Sequence, residues 1–229
     1  MERRHRGFTL IEIAIVLIIV GLLLGGVMKG QELINGAKAK AMAGDFRNVP
    51  IFIYSYQDKF RALPGDDPAA QMHLGAAATQ VATVAAGGGA GNGRLDGFWD
   101  SVSAADESFV VWQHVRLAGL APGTTRTDAA GYRPTNADGG AIGIESIHQP
   151  SGGAYVRDLG GTYLLCSASV LGRLARQIDL TLDDGNGATG QVRIVPGSGY
   201  ARNASAGIDN AADPAGIGDA GQYTVCMGF

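Results

Sequence analysis

Charged side chains are absent from residues 13–28, IAIVLIIVGLLLGGVM. The wider segment 8–28 holds 21 residues, roughly 31 Å as a helix, which matches a bilayer core of ~30 Å. Beyond Lys29 the pattern changes to a stripe. Ala39, Met42, Phe46, Val49, Ile53, Tyr56 and Phe60 recur at alternating steps of three and four, flanked by Lys38, Lys40, Arg47, Asp58 and Lys59. This is one face of a helix, predicted to pack against the protein's own sheet. Pro50 removes one hydrogen bond and crowds the carbonyl of Phe46, so a kink is expected there. Leu63-Pro64-Gly65-Asp66 fits a type II turn and should end a helix of about 50 residues.

After that turn the pattern weakens. Residues 76–93 are low in complexity and read as a loop. Ser103 is the expected cap of a helix running to Ala118, with Val111, Trp112, Val115 and Ala118 inward and Gly119 as its stop. Short strands are expected at 141–147, 162–166, 191–195 and 223–227. Val170, Leu171, Leu174 and Ile178 suggest a further short helix between the second and third of these. Residues 196–222 read as a long loop rich in Gly, Asp and Asn. Helices and short strands behind one N-terminal spine suit an α+β head.

Composition adds a sign to this picture. The formal charge is −3. Removing residues 1–7 would take away Arg3, Arg4 and Arg6 but only one acid, Glu2, leaving −5. A net-acidic head is a poor match for nucleic-acid phosphates, so no nucleic-acid partner is expected. The chain has two cysteines, Cys166 and Cys226, both far from the apolar run. If the head is exported they are expected to form a disulfide; in a cytosolic domain they would be two buried thiols.

The N-terminus decides the class. The basic stretch MERRHRG precedes the apolar run and should stay cytoplasmic. An ordinary secretory signal would end in a small-residue cleavage site after the apolar stretch. Here the helical pattern continues instead, so the segment is expected to remain in the mature protein. Glu12 lies within it, where an ionised side chain costs on the order of 3 kcal/mol. Cleavage before Phe8 would create an α-amino group four residues upstream of Glu12. The stretch Gly7-Phe8-Thr9-Leu10-Ile11-Glu12 resembles the processing motif of type IV prepilins and pseudopilins. The resemblance implies that a prepilin peptidase cuts after Gly7 and methylates the new N-terminal Phe8, and that Glu12 assists docking into a filament. It covers residues 1 to about 30. One departure is Lys29, which stands where many type IV pilins have a proline, eight residues after the position of Gly21. Gly21, Gly25, Gly26 and Gly30 could weaken the helix or permit close helix contacts.

Little else in the chain points to chemistry. Gly185-Asn186-Gly187-Ala188-Thr189-Gly190 spells G-x-G-x-x-G but leads into QVRIV, a strand pattern, and reads as a turn rather than a dinucleotide site. Asp183, Asp184 and Asn186 form a compact oxygen-rich cluster, and Asp66, Asp67, Asn92, Asp96 and Asp100 a looser one. Both suit calcium by ligand type, yet neither has EF-hand spacing, so no metal is expected and Asp183, Asp184 and Asn186 stand as weak candidates. His73, His114 and His148 fit no zinc pair or nucleophile arrangement. Residues 203–205 match a glycosylation acceptor, a cheap three-residue pattern. Neither enzymatic activity nor a cofactor is expected.

The resemblance implies a spine helix laid across an antiparallel sheet, with a disulfide closing a C-terminal loop. It divides the chain into a cytoplasmic leader at 1–7, a membrane or filament-core helix at 8–30 and an exported head at 31–229. Expected partners are prepilin peptidase, other pilin or pseudopilin subunits and the inner-membrane assembly machinery. The expected location is the inner membrane as a single-pass protein, then a surface pilus or a periplasmic pseudopilus. The leading expectation is a major or minor pilin of a type IV pilus. The alternatives are a pseudopilin of a type II secretion system and a membrane-tethered adhesin or binding protein.

Overall fold

The computed structural model describes residues 10–82, 88–149, 154–198 and 216–229. Gly7, Phe8, the acceptor triplet at 203–205 and parts of both Gly-rich stretches lie outside them. The chain divides into two units, Met1–Ala37 and Lys38–Phe229. One helix, α1 (Leu10–Phe60, 51 residues), contributes to both and runs through Pro50. In the first unit its side chains are largely exposed, Leu22 and Met28 by more than 70 %.

In the second unit the predicted stripe from Ala39 to Tyr56 is the buried face of α1, and its last member, Phe60, is half-buried. Met42, Phe46, Ile53 and Tyr56 are at most 1 % exposed. Each such side chain contributes about 1.5–3 kcal/mol through burial. Asp66 N–H donates to the Leu63 carbonyl (3.1 Å), and Gly65 has φ +94°, as the type II turn requires. A short helix α2 (Ala70–Leu74) follows, which the sequence pattern did not signal.

Helix α3 (Glu107–Leu117) starts one turn later than Ser103 suggests. Ser103 Oγ accepts the N–H of Ala105, closing a local turn, so Asp106 takes the N-cap place without a side-chain cap bond. The stop is as expected. Gly119 has φ +75°, its N–H reaches Arg116 O, and Leu120 N–H reaches Val115 O, a Schellman ending.

Four strands form an antiparallel sheet of order β1-β2-β4-β3: β1 (Ile142–Ser146), β2 (Tyr163–Leu171), β3 (Val192–Pro196) and β4 (Gln222–Gly228). Strand β2 runs further than its apolar pattern suggested. A register shift between Ser167 and Val170 carries it past a bulge, and Val170 and Leu171 then pair with Tyr223 and Gln222. Helix α4 (Gly172–Leu182) therefore begins after the residues first assigned to it. The result is an α+β fold, with the head half of the N-terminal helix packed on the sheet.

Both faces of the sheet are covered. Leu165, Val170, Ile194 and Val225 share a core with Phe46, Val49 and Ile53 of α1 and with Val111 and Trp112 of α3. Leu164, Cys166, Val195 and Cys226 pack with Trp99, Ile147, Val156 and Leu159 in a second core. Successive strand residues point to opposite faces, which places Leu165 in one core and its neighbours Leu164 and Cys166 in the other.

Candidate functional site

The exposed apolar part of α1 is the feature with the plainest consequence. Leu10, Leu17, Leu22, Leu23 and Met28 are each at least 60 % exposed, and Glu12 sits in the first turn, also exposed. Among the described residues this is the one helix long and apolar enough to cross a membrane. So large an apolar surface needs lipid or protein over it. The expected processing residues Gly7 and Phe8 precede this helix, outside the described residues.

The sequence reading named Cys166 and Cys226, and the structure joins them, with Cα atoms 4.1 Å apart. They are opposed residues on neighbouring strands β2 and β4. The bond thus ties the two central strands together, inside the core on the face away from α1. It also anchors β4, the strand that follows the 196–222 stretch.

The looser acidic set separates into distinct jobs. Asp66 accepts the N–H groups of Gly91, Asn92 (3.1 Å) and Gly93 (2.6 Å), folding the Gly-rich stretch onto the turn. Asp67 accepts from Tyr56 O–H and faces His73 Nδ1, each at 2.7 Å. Asp96 receives Asn92 Nδ2 (2.6 Å), and Asp100 is exposed. Two buried residues of α3 complete this region, and the sequence reading had given neither of them a part in it. His114 Nδ1 accepts Gly65 N–H (2.9 Å) and its Nε2–H donates to Thr79 O (2.8 Å), which defines a neutral ring. Burial pushes its pKa down, in keeping with that state. Glu107, fully buried, accepts Asp96 N–H at 2.9 Å. Burial, reinforced by the charges of Asp66 and Asp96, pushes its carboxyl up to about 8.

The other acidic set gains a member. Asp183 and Asp184 converge with Asp179 near the C-terminal end of α4, with carboxylate oxygens within 4.8 Å of one another. Asp183 accepts Val192 N–H (2.8 Å); Asp184 accepts Asn186 N–H (2.8 Å) and Thr189 O–H (2.5 Å). Asn186 Oδ1 accepts Ala188 N–H at 3.1 Å. The G-x-G-x-x-G stretch is the loop from α4 into β3, with Gly185 and Gly190 at positive φ. Asp179 was missed, although its i, i+4 relation to Asp183 was visible once a helix through Ile178 had been recognised.

Comparison with known families places a motif on this geometry. Residues 3–28 match the prokaryotic N-terminal methylation motif, the signature of type IV prepilins. The match spans the expected cleavage junction, Glu12 and the exposed apolar part of α1. The motif supports a type IV pilin- or pseudopilin-like subunit, with processing by a prepilin peptidase and assembly with other pilins as its implication. The long apolar helix fits a membrane anchor. No curated protein and no solved structure gives a significant match to the chain.

Proposed function

We propose that this protein is a structural subunit of a type IV pilus, cut after Gly7, methylated at Phe8 and assembled through its N-terminal helix. In this reading residues 1–7 are the leader, 8–30 the membrane and filament-core helix, and 31–229 the exported head. The observation that carries it is the methylation motif at 3–28, whose described part from Leu10 lies on a helix with apolar side chains that no other described residue covers. That surface is served first by lipid and then by the helices of neighbouring subunits. Glu12 meets the amino group of Phe8 on a neighbouring subunit, and the contact sets the axial register.

Intact mass spectrometry of membrane-extracted protein tests the processing. The expected species begins at N-methylated Phe8, and Gly7→Trp should leave the precursor uncut. A mature species retaining residues 1–7 would overturn the prepilin reading. Purified surface filaments test the assembly. A subunit confined to the periplasm and absent from surface filaments would belong to a secretion pseudopilus instead.

A further inference from the structure

Asp179 is fully buried, and neither of its carboxylate oxygens has a hydrogen-bond partner among the described residues. A bare buried carboxylate is costly unless it is paired or ligates a metal. The neighbouring groups make the position worse. Asp183 and Asp184 bring two more carboxylates, and the backbone carbonyls at the end of α4 add the negative pole of the helix. The nearby Arg193 donates to the carbonyls of Gly190 and Val192 rather than to this carboxylate. Three carboxyl groups therefore converge at a helix C-terminus, one of them unsatisfied.

The spacing fits one kind of guest. Calcium–oxygen distances of 2.3–2.6 Å allow two ligands on one ion to lie at most ~5 Å apart. The three carboxylates meet that limit, with oxygens within 4.8 Å of one another. All three donors are hard oxygens, which suit calcium better than a softer transition metal. The hydrogen bonds already made to Asp183 and Asp184 hold their side chains in place and leave lone pairs for a cation.

We propose that Asp179, Asp183 and Asp184 form a calcium site that pins the end of α4 to the loop entering β3. The ion neutralises the buried Asp179, and water completes the shell from the exposed side at Asp184. The affinity belongs in the range of extracellular modules, ~0.1–1 mM, because three carboxylates supply fewer ligands than an EF-hand.

The test uses the full-length chain in detergent, stripped with EGTA and titrated with CaCl2 or MgCl2 by calorimetry and thermal melting. The expected result is one saturable calcium site and a Tm rise of about 3–5 °C at ~5 mM calcium, with a much weaker magnesium response. Asp184→Asn alters an exposed side chain and should weaken calcium binding about tenfold or more, with only a small change of Tm in EGTA because one of its two acceptor oxygens is replaced. Asp179→Asn should abolish the response while leaving the Tm in EGTA equal to or above that of the native chain, since a neutral amide replaces a buried charge. The proposal is overturned if the native chain gives no saturable calcium response up to ~10 mM, or if Asp184→Asn responds like the native chain. An equal response to magnesium would overturn the assignment to calcium. Because the measurement is made on unassembled protein, its failure leaves the filament reading intact.

Discussion

The two halves of α1 are built from the same kinds of residues and have opposite surroundings. Leu17, Leu22 and Leu23 are 63–73 % exposed, whereas Met42, Phe46 and Ile53 are at most 1 % exposed. In the head half the fold covers one apolar face, and of the large apolar residues off that face Ile51 and Tyr54 stay about half exposed. In the first half they occupy every face, and nothing among the described residues covers them. Helix formation needs the same backbone in both halves; the difference lies in where the apolar surface is satisfied. One half is finished by folding; the other, on the proposed reading, by a membrane or by assembly. Side-chain changes in the two halves should therefore be read out by different experiments.

The largest expected effect is at Glu12. If Glu12 docks the subunit as proposed, Glu12→Leu should leave membrane insertion and cleavage intact while filament incorporation falls at least about tenfold. Quantitative immunoblotting of sheared filaments against membranes measures this, and native-level incorporation would remove Glu12 from the assembly account. Phe46→Ala comes next, with an expected cost to the head of about 3–5 kcal/mol from lost burial and a residual cavity. Leu23→Ala should change head stability by less than ~0.5 kcal/mol. Denaturant unfolding followed by near-UV circular dichroism compares them, and equal losses would break the contrast between the two halves.

Replacing both cysteines, Cys166→Ala with Cys226→Ala, should cost the head about 2–4 kcal/mol. The bond closes a 60-residue separation, and chain entropy sets ~4 kcal/mol as the upper figure. Non-reducing peptide mapping of exported protein should recover the linked pair, and two free thiols would contradict the structure. A pH-dependent effect is expected at Glu107, whose carboxyl titrates near 8 in the fold but at an ordinary acidic pH when unfolded. The native state therefore holds the proton more tightly than the unfolded state. The stability that Glu107 contributes is fully present below pH ~4.5, falls as pH rises from there, and levels off above about 8. Glu107→Gln removes this contribution, so its Tm relative to the native chain should rise by up to about 10 °C on going from pH 5 to pH 8. A pH-independent difference between the two would show that Glu107 is ionised throughout.

Local pattern carried much of the fold. The stripe from Ala39 to Tyr56, the turn at Leu63-Pro64-Gly65-Asp66, the stop at Gly119 and four strand locations were all legible in the sequence. Each depends on periodicity or on a residue whose backbone preference acts within a few positions. The misplaced boundaries arose where local and long-range preferences compete. Ser103 can cap a helix but closes a turn here, and Val170 has helical spacing yet pairs with Tyr223 across a bulge.

By itself the sequence determined the N-terminal motif, the two regimes of one long helix and the α+β class, because charge, hydropathy and turn chemistry are properties of neighbouring residues. Only the tertiary structure decided the strand order β1-β2-β4-β3, the placement of the disulfide in the core away from α1, and the burial of Glu107, His114 and Asp179. A carboxylate written beside polar neighbours looks like any solvated acid. Whether it meets water, a backbone N–H or two other carboxylates depends on which distant strands and loops close over it. Those contacts are fixed by packing across the whole head.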